Sequence, residues 1–446
     1  MRTDATGLAA ITRRDALRGA LVGGAGLALA PHSLFAGVDG PPRATAKAVI
    51  QIWMWGGPSH IDTFDPKPGA GRDYCGPLNM AIPTNVDGMV IGQLLPLLAK
   101  QADKFSLIRS MTHGVNGHET ASYITQTGHT PGGKRIVYPA VGAVVSKFRG
   151  IDHGYSGKIP PYVVMTRPLG RFSESGFLGL KYKPFVTGGD PNQSRFAVEG
   201  IVQQSVTDQR QRARRELMHD LDILGEALPD DPRLTQLDRC EEEAYEMILG
   251  DAGKVFDLTQ ESDEMRDRYG RNKFGQSCLA ARRLIESGVP YVAINAEGWD
   301  THKRHFEAMN RKLPQMDRGM ATLLQDLSER GLLDSTIVWW GGEFGRTPKV
   351  GWGEPWNGGR SHYGACFSHM VAGGGFKGGQ VFGASDEHAE FPVTDPLHPR
   401  DLIANIYELL GIDPNARMPN PRNLDVRVLP PAKDGSAGYR RLKQLI

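Results

Sequence analysis

Cysteine is scarce in this chain. Four residues of 446 (Cys75, Cys240, Cys278, Cys366) are scattered with no CxxC pair. That excludes a zinc-finger framework and a disulfide scaffold, and leaves room for one bridge in an oxidising compartment. A surplus of charge is missing too. Lys and Arg total 52 against 50 Asp and Glu, a formal +2, so no electrostatic case exists for nucleic acid or an anionic membrane. Long apolar runs are absent. The one modest stretch, Gly19 to Ala30, holds four glycines and is too short and weak to span a bilayer. No dinucleotide or haem motif, internal repeat or low-complexity tract occurs, which leaves an exported oxidoreductase with little beyond its leader to support it.

What is present is an ordinary globular profile, 40% hydrophobic and 23% charged, able to bury a large core. Length alone suggests about three domains, and one large α/β domain fits as well. At the N-terminus, Thr12-Arg13-Arg14-Asp15-Ala16-Leu17-Arg18 is a twin-arginine pattern, followed by the apolar stretch and a small-residue exit near Ala36. Basic, apolar and small regions in that order are an export signal. Residues 1–36 are therefore expected to be a twin-arginine signal peptide. Residues 37–446 are expected to form one exported domain, periplasmic or extracytoplasmic, with no transmembrane segment.

Strand-like and helix-like segments alternate along the mature chain. Strands are expected at Ala48 to Trp55, Phe105 to Met111, Tyr162 to Met165, Val289 to Asn295, Thr336 to Trp340 and His369 to Ala372. Helical spacing marks Ile91 to Gln101, Glu119 to Thr127, Tyr138 to Phe148, Phe274 to Ser287, Phe306 to Arg330 and Asp401 to Leu410. The charged runs Arg210 to Asp222 and Asp238 to Ile248 read as solvated helix faces. Strands separated by helices argue for a mainly parallel sheet covered on both faces.

Chemistry-bearing residues collect at the strand ends, where open α/β sheets build their sites. Past the Val289 strand, Gly298-Trp299-Asp300-Thr301-His302 offers a carboxylate and an imidazole two residues apart, ligand types that suit zinc, manganese or iron. The competing reading is an Asp capping the following helix beside a solvent-facing His. Past the first strand, Gly56-Gly57 precede His60, Asp62 and Asp65; either acid is a candidate metal carboxylate, and an Asx-type turn before Pro66 suits Asp65 better. Past the Phe105 strand, His113, His118 and Thr120 flank a helix start, which favours anions. Past the Thr336 strand stand Glu343, a candidate cation ligand, and Arg346, whose forked donors suit an anionic oxygen. A Glu–Arg salt bridge is the plainer reading there. Arg360 and His362 follow in Gly358-Gly359-Arg360-Ser361-His362-Tyr363, with His388 and His398 more peripheral.

The phrases WMWGGPSHIDTFDPKP, SMTHGVNGHETASYITQTG, GWDTHKRHF, GGEFGRTPKV and GRSHYG resemble DUF1501, a family of exported bacterial proteins, over about Ala48 to Ile412. That family is related to the alkaline phosphatase and sulfatase superfamily. The resemblance implies an alkaline-phosphatase-like three-layer sandwich, with a mostly parallel central sheet, helices on both faces and one or two divalent metal ions (zinc, manganese or calcium) at the strands' carboxyl ends. By motif, Asp62 resembles the first-strand metal carboxylate, Asp300 and His302 the Asp/His pair of one site, and His362 the late histidine ligand. Glu343 stands where an acid–His doublet is usual. The sulfatase Cys/Ser-x-Pro-x-Arg signature is replaced by His118-Glu119-Thr120-Ala121-Ser122, which excludes formylglycine chemistry. Either Thr120 is a metal-activated nucleophile, or His118 is a further ligand.

The expected function is a metal-dependent hydrolase of phosphate or sulfate esters, with Asp62, His118, Asp300, His302, Glu343 and His362 as ligands. Arg346 or Arg360 would stabilise charge on the non-bridging oxygens. The implied partner is an anionic ester, such as a sulfated or phosphorylated glycan. The alternative is a non-catalytic exported binding or scaffold protein that retains the fold.

Overall fold

The first strand sets the frame. Ala48–Met54 (AVIQIWM) is β-branched or apolar at most positions and buried at all seven. It is the continuous apolar run expected of a strand covered on both faces. The computed structural model describes residues 44–446 except 133–135, 169, 171–173, 194, 195, 197, 199–206, 222–233, 235–244, 246–249 and 431–437. The twin-arginine segment, Cys240 and most of the run Asp238 to Ile248 lie outside the described residues.

Eight strands form the main sheet: β1 (Ala48–Met54), β2 (Phe105–Met111), β3 (Tyr162–Met165), β4 (Phe185–Val186), β5 (Tyr291–Ala296), β6 (Thr336–Gly341), β7 (Phe367–Ala372) and β8 (Val381–Phe382). Their order is β8-β2-β7-β6-β1-β5-β3-β4. β1 pairs in parallel with β5 and β6, and β3 with β5 and β4. β7 alone reverses, running antiparallel to β2 and β6. The carboxyl ends of β1, β2, β5 and β6 and the amino end of β7 consequently share one edge.

Five longer helices cover this sheet: α1 (His118–Thr127), α2 (Val141–Arg149), α3 (Lys273–Glu286), α4 (His305–Glu329) and α5 (Pro399–Leu409). Side chains alternate along β1. Ile50, Ile52 and Met54 join Leu279 and Leu284 of α3 and Met309, Leu313 and Met320 of α4. Val49 and Trp53 join Val141 and Val144 of α2 and Ile403 and Ile406 of α5 on the other face. The result is the expected three-layer α/β arrangement. No helix among the described residues is long and apolar enough to cross a membrane.

Two local expectations differ. Ile91 to Gln101 is not an α-helix: Val90–Gly92 pairs with Ala81–Pro83, and a 3₁₀ turn spans Leu98–Lys104. Pro96 lacks the N–H that a helix interior needs, and the buried Asp317 carboxylate accepts the backbone N–H groups of Leu97 (2.9 Å) and Leu98 (2.7 Å). The cap reading of Asp300 also falls, because α4 begins at His305 behind Arg304, with no side-chain cap. Cys75, Cys278 and Cys366 are free and buried.

Candidate metal centre

Four of the sequence-predicted residues meet at the shared edge. His118 opens α1 past β2, Asp300 and His302 follow β5, and His362 lies on a two-stranded ribbon opposite Arg346. Among the described residues, His118, Asp300 and His362 are a group of three ligand atoms lying within 4.8 Å of one another. His302 joins them: its Nε2 lies 3.0 Å from Asp300 Oδ1 and 2.9 Å from His362 Nε2. His362 Nε2 is 3.0 Å from the same Oδ1, and His118 Nε2 is 3.4 Å from Oδ2.

The other ring nitrogens show where the lone pairs point. His362 Nδ1 lies 2.8 Å from the carbonyl of Asn116, which can only accept, so Nδ1 is the donor. His118 Nδ1 donates to Glu343 Oε1 at 2.7 Å. In the neutral rings the Nε2 lone pairs of His118 and His362 therefore face Asp300, whose Oδ1 also accepts from Arg346 Nη2. A cation held there, or a proton on one of the rings, relieves the repulsion between those lone pairs and the carboxylate. A metal-bound imidazole ordinarily donates its second N–H to a carboxylate or carbonyl, and both rings do so here.

Glu343 is set behind the cluster. It is fully buried, its Oε1 accepts from Gly56 N (3.0 Å) as well as from His118, and its Oε2 has no hydrogen-bond partner. Its carbonyl is gripped by His113 Nε2 (2.7 Å) and Thr125 Oγ1 (3.3 Å). Two glycines permit this approach. Gly56 has φ +110°, and a Cβ there would sit 2.3 Å from Asp300 N; Gly57 has φ +80°, with the Phe344 ring 2.5 Å from its missing Cβ.

Electrostatics follow from these contacts. Burial pushes the Asp300 carboxyl up, but the Arg346 hydrogen bond and charge, with His362 and His302, outweigh it and hold the group at about 2. His118 is raised, first by its hydrogen bond to Glu343. His302 is lowered, first by burial and then by Arg346 and the other rings, against the pull of Asp300. The side chains remain reachable, with Asp300 42% exposed and His302 31%. Trp55 stacks on His118 at 5.6 Å, Phe344 on His362 at 4.7 Å, and Trp356 lies 6.1 Å from the His302 ring.

Asp62 is brought to a separate buried cluster. Its Oδ2 lies 2.8 Å from His305 Nε2 and 2.8 Å from Arg360 Nε, and Ser59 Oγ donates to it. His305 Nδ1 in turn meets Thr301 Oγ1 at 2.6 Å, so this cluster braces the turn that carries Asp300 and His302. Arg360 is almost wholly buried, its remaining donors directed to the carbonyls of Thr347, Pro348 and Tyr74. Arg346 reaches the centre through Asp300, while its other N–H groups hold the carbonyls of Gly56, Gly57 and Arg360. Thr120 stands two residues from His118 on α1, and side chains at that spacing do not share a helix face. His118, Ser122 and Thr125 do share one. Asp65 pairs with Lys67 (3.1 Å) and Arg109 (3.6 Å), and His398 caps α5.

Sequence reasoning missed His305, whose only signal is an imidazole at a helix start otherwise built for burial. It also missed Asn116, whose carbonyl fixes a ring by a backbone contact that no motif records.

A family model described as "Protein of unknown function (DUF1501)" matches residues 46–434. No curated protein matches the chain. Solved structures similar to it include an alkaline phosphatase superfamily protein from Vibrio parahaemolyticus, 10% identical over 83% of this chain and 68% of that one, TM-score 0.39. The PsFucS1 sulfatase from Pseudoalteromonas sp. is 14% identical over 83% and 68%, TM-score 0.34. The C-terminal periplasmic domain of EcEptC from Escherichia coli, in complex with Zn, is 10% identical over 89% and 92%, TM-score 0.32.

Proposed function

The chain belongs to the DUF1501 family, and from that premise we propose that it is an exported, metal-dependent hydrolase of phosphate or sulfate esters. The observation that carries the reading is the convergence of His118, His302 and His362 nitrogens on Asp300, with Glu343 and the Asn116 carbonyl fixing the outer N–H groups. Three imidazoles and one carboxylate suit zinc, iron or manganese; calcium prefers an all-oxygen shell. A divalent ion held there would polarise an ester oxygen as a Lewis acid.

The chain's own groups do the rest. Asp300, held ionised by Arg346, supplies the negative charge that retains a cation. Glu343 keeps the His118 ring in the tautomer whose Nε2 faces the centre. The first turn of α1 starts behind Gly117 with no side-chain cap, so its N–H groups favour an anionic ester at the same mouth. Arg346 acts through Asp300, and Arg360 acts through Asp62 on the loop geometry. The leader at residues 1–36 assigns the site to an extracytoplasmic compartment, with residues 37–446 as one exported domain.

The test is elemental analysis of the protein from Gly37 onward, purified without chelator, followed by assay of aryl phosphate and sulfate esters. Near-stoichiometric metal and ester turnover, both lost in Asp300→Ala/His302→Ala, are expected. A well-folded protein that binds no metal after reconstitution would overturn the reading. A second reading, a non-catalytic binding protein, is favoured by His118-Glu119-Thr120-Ala121-Ser122 standing where the sulfatase Cys/Ser-x-Pro-x-Arg signature would lie. Full metal occupancy with no hydrolysis across the ester panel would establish it.

A further inference from the structure

Beside the candidate centre lies a cavity of about 470 Å³, lined by Arg72, Arg304, Phe306, Trp352 and Asn357 among others. Its volume falls within the roughly 300–1,000 Å³ of small-molecule sites. We propose that this cavity is a subsite for an anionic saccharide ring of the substrate. The proposal rests on the reading of the adjoining centre as an ester hydrolase and names the substrate class that centre serves.

The aromatic residues come first. Among seven tryptophans, Trp352 and Trp356 are the two that are exposed, at 38% and 46%, and both stand on the loop 351–359. Large apolar side chains left exposed together on one loop mark an interaction site; Trp352 lines the cavity, and Trp356 lies 6.1 Å from the His302 ring. The loop holds them in place. Gly351 and Gly358–Gly359 exchange main-chain hydrogen bonds, the Arg304 N–H donates to Trp356 O at 3.2 Å, and the His305 N–H donates to Gly358 O at 3.1 Å. Phe306 stacks on Trp352 at 5.9 Å, and the Arg72 guanidinium lies 5.4 Å from the Trp352 ring centre.

Charge and position supply the rest. Arg304 adopts a left-handed backbone (φ 48°) although it is not glycine, a strained conformation that persists only where its surroundings impose it. It stands two residues beyond His302 and pairs only at 4.0 Å with Glu307, an exposed carboxylate that also lines the cavity. Gly359 lies directly against the His302 carbonyl, 1.8 Å from where a Cβ would stand. The cavity and the centre are therefore two sides of one turn. An aromatic face takes the apolar face of a sugar ring, an Asn amide takes hydroxyls, and paired guanidiniums take a sulfate or carboxylate in forked geometry. Two arginines without a longer basic stripe do not suit a nucleic-acid strand.

Isothermal titration of the protein from Gly37 onward, metal-loaded and metal-stripped, tests the proposal with a sulfated disaccharide, its desulfated counterpart and a short oligo(dT). Saturable binding of the sulfated disaccharide at least tenfold tighter than of the desulfated one is expected. Trp352→Ala and Arg72→Ala should each weaken it at least tenfold while keeping metal content and melting temperature. Undiminished binding in both variants, equal affinity for the desulfated sugar, oligo(dT) binding in place of the saccharide, or no saturable binding would each overturn it. The two readings fail separately. Aryl-ester turnover without saccharide binding removes the subsite alone, whereas saccharide binding by a metal-free, inactive protein removes the hydrolase and leaves the subsite.

Discussion

Replacing Asp62 by Asn separates two roles that its motif leaves together. As a metal ligand, Asp62 would carry metal affinity and little stability. As placed here, buried between Arg360 Nε and His305 Nε2 at 2.8 Å each, it should carry stability and no direct metal contact. Removing one partner of a buried ion pair costs about 3–5 kcal/mol, because the remaining charge is left uncompensated. Burial pushes the Asp62 carboxyl up, but Arg360 and His305 more than offset it and hold the group at about 2 against an ordinary 3.8. That difference corresponds to about 2–3 kcal/mol of folding free energy at neutral pH. Roughly 400 ordered residues melt with an entropy of about 0.85 kcal/mol/K. The variant should therefore melt about 3–6 °C lower in a thermal scan at pH 7 and keep its metal stoichiometry. Since the folded-state value is depressed, the stabilisation is complete above about pH 4 and is lost as pH falls through 2. The gap between wild type and variant should accordingly close over that window. An Asp62→Asn protein that melts within 1 °C of wild type yet loses its metal would refute the anchoring role.

Two further outcomes follow from the geometry. Gly56→Ala should lower both metal affinity and melting temperature, because the left-handed φ costs about 1–2 kcal/mol and the new Cβ would displace Asp300 N, 2.3 Å away; metal titration with a competing chelator measures the first effect and a thermal scan the second. Asp317 is pushed up to about 6 by burial, against the hydrogen bonds of Leu98 and Leu97. A carboxyl raised on folding favours the folded state below its unfolded value near 4, and that contribution is lost as pH rises through 6. Relative to wild type, Asp317→Asn should therefore gain stability between pH 4 and pH 7; a pH-independent difference would contradict the assignment.

The alternation of strand and helix was legible because its signal is local. AVIQIWM and TIVWWG are runs that only a doubly covered strand tolerates, and the β3 segment YVVM follows the same rule. Ile91 to Gln101 misled because its apolar spacing outweighed Pro96 and Gly92, and because the carboxylate that shapes it, Asp317, comes more than 200 residues later. The pairing of Asp300 with His302 could be read from two residues of spacing past a strand end. The partners of Asp62 could not: Arg360 and His305 are about 300 and 243 residues away, and nothing in the motif GGPSHIDTF distinguishes a ligand from an anchor.

By itself, the sequence determined the layered α/β class, the strand ends at which polar residues collect, and the identity of the imidazoles and acids present there. These follow from short-range preferences, in which apolar periodicity selects the element and glycine permits close backbone approach. Tertiary structure alone decided which of those residues share a centre. Strand order carried His118, Asp300, His302 and His362 to one edge, while a buried arginine drew Asp62 into the support behind it. The physical reason is that a coordinating set depends on distances of a few ångströms between atoms hundreds of residues apart, and only the assembled sheet sets those distances.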